Sequence, residues 1–463
     1  MSENGPKRKV KKFFKKLKKK ILPQFVLDSS APNVYSNILD FRNAGTHKFH
    51  LRILKNVKGI LIIDAKYVLY LNQIATIYFK EFIEGKSLEE IQNFFVKTFR
   101  TTKKEVEQDH NELLDKVSFL LTEEDACPFT HIGMSTKTPF KATEFPMRVD
   151  LAITYKCNNS CGHCYVARER NFPELDTESM KKIMEVLWKV GVPHIALTGG
   201  EPTMRDDFLE LIEYGQKKGF VMGVITNGRK FADKKLVKEA IEKGLDYAQI
   251  TLESHDKEIH NKMVGADGFD ETVQAIKNFE AEDIFFMTNT TICNHNVEGI
   301  KDTIRFLKEL NVETFACNGL IYSGKGKEFE HGIAEEDLEP VLIDINELAN
   351  KLEMRFIWYS PTQYCSVNPV EIGLGPKRCS AANTSIAIEP NGDVLPCQSY
   401  YEPVGNILEV DWKKIWHSKL FKSIRKHEYV EPKCKDCELI QVCGGGCPLY
   451  IDKKNLTCNI ANF

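Results

Sequence analysis

The 463-residue chain has no apolar run of the ~18–20 residues needed to cross a bilayer, which excludes a membrane-spanning helix. Its first residues lack the apolar core of a secretory signal, so a reducing, cytoplasmic compartment is expected. It also lacks a large net charge, with a formal total of −2. That small total hides an uneven distribution. Residues 1–21 hold ten Lys or Arg and one acid, Glu3, for a net +9, so the remaining residues carry −11. Cysteine, by contrast, is plentiful. Fourteen in a long chain without an export signal point to metal binding, not disulfides. Cys127, Cys293 and Cys317 are scattered, and core packing is the default reading for each. The other eleven fall in two groups, at 157–164 and 365–458.

The first group organises the chain. Cys157, Cys161 and Cys164 stand in a C-x3-C-x2-C spacing that can converge three thiolates on one metal cluster. A [4Fe–4S] cube takes four ligands, so three leave one iron open, as a catalytic metal requires. A structural zinc site would need a fourth Cys or His nearby. The one candidate, His163, lies between two of the cysteines and is poorly placed to reach the same metal. Downstream comes Thr198-Gly-Gly-Glu-Pro202, where Gly199 and Gly200 permit close backbone approach, Glu201 adds a carboxylate and Pro202 stiffens the turn.

The cysteine loop, with the aromatic Tyr165 directly after its third cysteine, the strand-like stretch before it and the Gly-Gly-Glu after it, resembles the radical S-adenosylmethionine (radical SAM) superfamily. The resemblance implies that the amino and carboxylate groups of SAM chelate the open iron. It implies that Gly199, Gly200 and Glu201 border the SAM amino group. The run Thr251-Leu-Glu253 is similar to the family's ribose-side motif, usually Ser-Leu-Asp, with both polar side chains lengthened. Where many relatives carry Arg just before a glycine, this chain has Val264 before Gly265, so a cationic contact to the SAM carboxylate must come from elsewhere.

Around this centre the chain reads as five segments. Residues 1–25 are basic, with Val10, Phe13, Phe14, Leu17 and Ile21 at helical spacing. Three readings stay open there: an interfacial helix on an anionic membrane, a non-specific nucleic-acid contact, or a solvated tail. Residues 45–125 read as short strands over 48–70, then helices over 71–82, from Ser87-Leu-Glu-Glu90 to about 99, and from Thr102-Lys-Lys-Glu105 to about 121, the last two opened by capping boxes. Strands then three helices describe a winged-helix-like α+β domain. This order resembles the PqqD-like peptide-recognition element, which implies that a leader peptide adds as a strand to the sheet edge. A structural or DNA-binding winged helix is the alternative. Residues 126–147 read as a linker. From 148 to 350 six strand-like runs alternate with five helix-like runs, which implies a parallel sheet with right-handed crossovers. Six such units resemble the partial (β/α)6 barrel of radical SAM enzymes, an α/β fold with its chemistry at the C-terminal ends of the strands.

The last segment, 360–463, holds the second cysteine group. Cys379, Gly392 and Cys397 are followed by Cys434-x2-Cys437-x5-Cys443-x3-Cys447 and then Cys458. This order resembles the seven-cysteine SPASM domain, which implies two auxiliary [4Fe–4S] clusters. Cys379, Cys397 and Cys447 would hold the first, with Cys365 placed to be its fourth ligand. Without Cys365 that cluster would have an open iron. Cys434, Cys437, Cys443 and Cys458 would hold the second. A zinc ribbon at Cys434, Cys437, Cys443 and Cys447 is the plainer alternative. In sulfatase-maturing relatives an Asp follows the cysteine after the glycine. Here Gln398 stands there, and an amide cannot serve as a base.

Together these resemblances imply a radical SAM enzyme with three [4Fe–4S] clusters. It would cleave SAM reductively to a 5′-deoxyadenosyl radical that abstracts hydrogen from a substrate. The expected substrate is a ribosomally made peptide with a leader, and the expected electron donor is of the flavodoxin or ferredoxin type. Alternatives are a small-molecule substrate such as a haem precursor, a non-enzymatic iron–sulfur DNA-binding regulator, and a membrane-associated enzyme held by residues 1–25.

Overall fold

The computed structural model describes residues 34–41, 45–54, 57–64, 67–122 and 145–451. The basic start, Cys127, most of the expected linker and Cys458 lie outside the described residues. The chain divides into two compact units, residues 1–139 and 140–463.

In the first unit, β1 (Val34–Asp40), β2 (Thr46–Ile53), β3 (Gly59–Ile63) and β4 (Tyr67–Leu71) form an antiparallel meander in chain order. Strand β1 stands ahead of the strands expected from the sequence. It is an edge strand with four of its seven residues exposed, so its apolar pattern is weak. Three helices follow: α1 (Gln73–Ile83), α2 (Leu88–Thr98) and α3 (Lys103–Thr122). Each start has a physical cause. The Asn72 side chain accepts from the Ala75 N–H at 2.9 Å. Ser87 and Glu90 exchange hydrogen bonds as a capping box, and Thr102 and Glu105 do the same. Phe49, Leu51, Leu61, Ile63, Phe79 and Phe95 are buried together beneath these helices.

The second unit is built on one nine-stranded sheet. Its parallel series is β5 (Arg148–Thr154), β6 (His194–Gly199), β7 (Val221–Thr226), β8 (Tyr247–Thr251), β9 (Phe285–Thr291) and β10 (Thr314–Asn318). The helices between them are α4 (Thr177–Val190), α5 (Phe208–Lys218), α6 (Lys234–Glu242), α7 (Lys257–Val264), α8 (Phe269–Glu280) and α9 (Ile300–Glu309). Helix α4 shows the logic. Asp176 caps it by accepting from Ser179 N–H at 2.8 Å, and Gly191 ends it in a left-handed conformation. Between these ends Met180, Ile183, Met184 and Leu187 recur at helical spacing and are fully buried. Each such side chain contributes about 1.5–3 kcal/mol through burial. Strand β5 is buried on both faces, as a parallel strand covered on both sides must be.

The sheet is wider than six strands. After α10 (Glu335–Lys351), β11 (Arg355–Trp358) adds parallel to β10. At the other edge β12 (Ser385–Ile388), from the segment expected to form a separate SPASM domain, pairs parallel with β5, and β13 (Val394–Leu395) pairs antiparallel with β12. The cysteine-rich end of the chain is thus hydrogen-bonded to the strand that launches the cysteine loop. No helix among the described residues is long and apolar enough to cross a membrane.

Candidate functional site

A cavity of about 1330 Å³ opens at the C-terminal ends of the parallel strands. Cys157, Cys161 and Cys164 form part of its wall. The loop that carries them has little regular structure, so side chains and neighbouring backbone hold it. Arg170 donates to the carbonyls of Cys157, at 2.6 Å, and Asn159. Arg229 donates to the Asn158 carbonyl at 2.6 Å and to Asn159 Oδ1 at 3.0 Å. The N–H groups of Ser160 and Gly162 donate to the carbonyls of Val264, at 2.9 Å, and Met263, at 3.2 Å. Val264 therefore grips the loop through its backbone. Burial pushes all three thiols above their ordinary range. A cluster bound there must displace those protons.

Gly199 and Gly200 sit where no other residue fits. A register shift in β5 sets Thr154 opposite Gly199. Gly199 has φ +134°, and a Cβ there would lie 1.9 Å from the Thr154 carbonyl oxygen. One on Gly200 would lie 2.4 Å from the Lys156 oxygen. The two glycines thus press the cavity wall against the root of the cysteine loop. Glu201 turns away from the cavity and is 0 % exposed. Its carboxylate accepts from Thr203 N–H (3.2 Å), Thr203 Oγ1 (2.7 Å), Thr226 Oγ1 (2.8 Å) and Asn227 N–H (2.8 Å). Asn227 in turn donates to Asn158 Oδ1 at 2.7 Å and approaches Cys157 Sγ at 4.0 Å. The role in reach of Glu201 is to brace the loop.

Thr251 and Glu253 both reach the cavity wall. Glu253 is 1 % exposed, and its carboxylate accepts from Thr291 N–H at 2.7 Å and pairs with His163 Nε2 at 2.9 Å. Burial alone would lower the His163 pKa, but the Glu253 charge outweighs it and the net shift is upward. His163 is therefore engaged with Glu253, and its other ring nitrogen is buried with no partner. Tyr165 lies on the same wall. Burial raises its hydroxyl pKa, and Thr198 hydrogen-bonds it.

The far wall comes from the second cysteine group. Cys379, Cys397 and Cys447 face the same cavity, and burial pushes Cys397 up to about 12 and raises the other two as well. Cys434, Cys437 and Cys443 stand off the cavity wall, and so does Cys365. Cys365, expected from the resemblance to join Cys379, Cys397 and Cys447, is not on the wall that those three share. The preceding residue, Tyr364, donates its N–H to Cys443 Sγ at 3.4 Å, which ties this stretch to the other cysteines. The stretch Gly444-Gly-Gly446 has φ of +70°, +81° and +83°, a left-handed turn only glycine holds at low cost, and it turns Cys443 away from Cys447.

Several wall residues had not been singled out from the sequence. Gln249, Asn289 and Asn318 are amide-bearing residues toward the C-terminal ends of buried strands, and an amide in such a place was the available signal. Asn289 donates to Asn318 Oδ1 at 2.8 Å, while its own Oδ1 is buried with no partner. Gln398 also faces the cavity with a buried, unpartnered Oε1. The wall carries the cations that Val264 cannot supply: Arg148, paired with Asp150 at 2.7 Å, and Lys377, which burial lowers to about 8. Arg168 links both halves of the wall. Its guanidinium forms two bonds, of 2.7 and 3.0 Å, to the fully buried Glu389 just after β12.

Two triads of thiols on one cavity, a backbone pressed close by glycines and unpartnered amide oxygens make a donor set suited to iron–sulfur clusters and a polar cofactor. The radical SAM superfamily pattern matches residues 151–307, and the SPASM iron–sulfur cluster-binding pattern matches residues 379–438. The chain carries a radical SAM domain followed by a SPASM domain. It is an enzyme, and its cofactors are SAM and [4Fe–4S] clusters, auxiliary ones included. Among curated relatives, an AdoMet-dependent heme synthase of Methanosarcina barkeri is 28% identical over 327 residues, 65% of this chain and 91% of that protein. The antilisterial bacteriocin subtilosin biosynthesis protein AlbA of Bacillus subtilis is 27% identical over 331 residues, 67% of this chain and 69% of that protein. Among solved structures, Streptococcus suis SuiB bound to S-adenosylmethionine aligns with a TM-score of 0.61 at 19% identity, covering 91% of this chain and 95% of SuiB. That likeness is one of fold, and its α/β radical SAM architecture is the one seen here.

Proposed function

We propose that this radical SAM enzyme modifies a ribosomally made, leader-bearing peptide at a side chain or α-carbon. The observation that carries the reading is the single cavity shared by the two thiol triads. Its volume of about 1330 Å³ exceeds the ~300–1,000 Å³ that encloses a drug-sized ligand, so room remains for a substrate beside SAM. Cys157, Cys161 and Cys164 would hold the [4Fe–4S] cluster with one iron open to SAM, and the group would supply one-electron reductive chemistry there.

The chain's own residues do the rest. Arg170, Arg229 and Asn227 hold the cysteine loop. Gly199 and Gly200 let backbone approach the cofactor, with Thr251 and Glu253 toward its ribose. Arg148 and Lys377 offer positive charge to an anionic group. Cys379, Cys397 and Cys447 would hold an auxiliary cluster at the substrate's other side, and Cys434, Cys437 and Cys443 another.

The support for a peptide comes from two sides. A second SuiB structure contains its precursor peptide, and AlbA acts in bacteriocin biosynthesis. SuiB covers 91% of this chain, more than residues 140–463 can account for, so the likeness reaches into the first unit. There β1 is an edge strand of the sheet among the described residues, the place where the PqqD-like reading would add an extended leader. The second reading, a haem precursor, is favoured by the heme synthase relative. The basic residues 1–25 are assigned peripheral contact with anionic membranes, and their deletion should abolish vesicle co-sedimentation.

The test is anaerobic. The chain is reconstituted with iron and sulfide, reduced with dithionite or a low-potential flavodoxin, and given SAM with candidate precursor peptides encoded alongside it. The expected result is 5′-deoxyadenosine with a matching mass change in the core peptide, both lost in a Cys157→Ala/Cys161→Ala/Cys164→Ala variant. Consumption of a haem precursor, with every peptide unchanged, would overturn the peptide reading.

A further inference from the structure

Residues 412–427 hold five Lys, one Arg and no Asp or Glu, a net +6. Everything after residue 21 sums to −11, so this run stands against an acidic background. It forms two short helices, α11 (Trp412–Trp416) and α12 (Lys419–Arg425). Their apolar side is Ile415, Trp416, Phe421 and Ile424, all buried in the core of the second unit. Burying that side turns the other outward. Lys419, Lys422 and Lys426 follow at i, i+3 and i+7, one stripe of a helix, and Lys413 and Lys414 stand on α11. All five are exposed. Among the described residues Lys413, Lys414, Lys419 and Lys422 form no ion pair, and Lys426 has one, at 3.9 Å to Glu428. A single-sign field of this kind attracts an anionic partner.

Two anchors set this face beside the second cysteine group. Arg425 Nη1 donates to the Ala382 carbonyl at 2.9 Å, and its guanidinium lies 4.6 Å from the Trp416 ring centroid. Ala382 in turn donates its N–H to the Pro396 carbonyl at 2.9 Å, which joins the segment after Cys379 to the residue before Cys397. Two residues past the run, the Tyr429 hydroxyl donates to the Gly444 carbonyl at 2.8 Å, in the turn between Cys443 and Cys447. Single hydrogen bonds thus tie the face to the loops of both cysteine sets. Yet none of its lysines lines the cavity. A partner seated there reaches the back of those loops and leaves the cavity open. A substrate has to enter the cavity, so the partner that fits this face is one that exchanges only electrons, which tunnel through intervening protein.

We propose that Lys413, Lys414, Lys419, Lys422 and Lys426 form the docking face for an acidic one-electron carrier protein of the flavodoxin or ferredoxin class, which exchanges electrons with the auxiliary clusters. The assignment rests on the reading that the SPASM cysteines hold [4Fe–4S] clusters. In the step itself the reduced carrier loses one electron and a cluster gains it; no bond forms or breaks. Lysine suits a transient partner, because a mobile, strongly hydrated charge speeds association without holding the complex tightly.

Binding is the first test. The reconstituted full chain is presented anaerobically to a flavodoxin and to a ferredoxin, and rates and affinities are measured at about 0.05 and about 0.5 M salt. The Lys413→Gln/Lys414→Gln/Lys419→Gln/Lys422→Gln variant should bind one of these carriers at least about tenfold more weakly at the lower salt, through a slower association rate. The difference should vanish at the higher salt, which screens exposed charges within a few ångströms. A control that removes four exposed lysines elsewhere, Lys234→Gln/Lys235→Gln/Lys238→Gln/Lys308→Gln, should bind as the unaltered chain does. Both variants should keep its Tm, since exposed substitutions of this kind cost little. Equal weakening in both variants would reduce the effect to net charge and overturn the assignment. So would carrier binding that ignores the four lysines, or no salt-dependent binding of either carrier. Capture of phosphatidylglycerol vesicles or duplex DNA through the same lysines, with neither carrier bound, would overturn it in favour of a membrane or a nucleic acid.

Electron transfer gives the second arm. Reduced carrier is mixed with the oxidised, reconstituted chain, and carrier oxidation is followed by stopped-flow absorbance. The second-order rate should fall about tenfold in the four-lysine variant, in step with its association rate. Iron per chain and the 5′-deoxyadenosine formed with dithionite, which needs no docking face, should stay as in the unaltered chain. An unchanged transfer rate would refute the assignment. An unaltered chain that binds only about four irons would instead sink the auxiliary-cluster reading, while the binding data would still decide whether the face takes a carrier.

Discussion

Changing Glu201 to Gln removes one carboxylate oxygen from beneath the cysteine loop and keeps the side chain's size. Four donors now meet that carboxylate, three on one oxygen and the Asn227 N–H on the other. In its less costly orientation Gln keeps the first three and turns its NH2 toward Asn227. One bond to a charged group is lost, at about 1.5–3 kcal/mol, and a buried N–H is left facing another donor, at about 1–3 kcal/mol. Burial already disfavours the Glu201 charge and raises its pKa, so the neutral side chain recovers part of this. The net expectation is a loss of about 3 kcal/mol, or roughly 5–10 °C in Tm. The effect should also travel. Asn227 holds Asn158 at 2.7 Å beside Cys157, so the first iron site should load incompletely. Anaerobic thermal denaturation, iron per chain and SAM-dependent 5′-deoxyadenosine would be measured together. A variant that melts with the unaltered chain but no longer binds SAM would show that Glu201 contacts the cofactor directly. One that matches the unaltered chain in all three would refute the bracing argument.

Gly199→Ala places a Cβ 1.9 Å from the Thr154 oxygen at φ +134°. The backbone strain alone is about 1–3 kcal/mol, and cluster iron at Cys157, Cys161 and Cys164 should be lost, as read by the EPR change on adding SAM. Arg168→Ala leaves the buried Glu389 without its cation, with the Tyr155 hydroxyl still donating to it at 3.2 Å, and should cost about 3–5 kcal/mol. Adding Glu389→Gln should recover a large part of that in a double-mutant cycle on denaturant midpoints, and strict additivity would contradict the pairing. In the first unit burial, followed by Glu112 and Glu105 and opposed by Lys116, raises Asp109 to about 7. The folded state then holds this proton more tightly than the unfolded one, so stability falls as pH rises from about 4 to about 7. Asp109→Asn should raise the Tm at pH 8 by an amount worth about 1 kcal/mol, after allowing for solvent screening, and leave it unchanged at pH 4.

The sequence alone determined the chemistry that depends on short spacing. Cys157, Cys161 and Cys164 lie within one loop, so their meeting needs no tertiary information. The same holds for the capping boxes at Ser87 and Thr102 and for the strand–helix alternation from Arg148 onward, because period and capping are local properties. Tertiary structure decided what lies far apart in the chain. It extended the six-strand series with β11 and β12, since pairing at a sheet edge leaves no period of its own in a four-residue strand. It pointed the Glu201 carboxylate away from the cavity and toward Asn227, because a carboxylate's direction is set by the donors around it. It brought Cys379, Cys397 and Cys447 to the cavity and left Cys365 off that wall. A cysteine's spacing reports its distance along the chain, and only the glycine turn at 444–446 and the bond from Tyr364 fix which neighbours it meets.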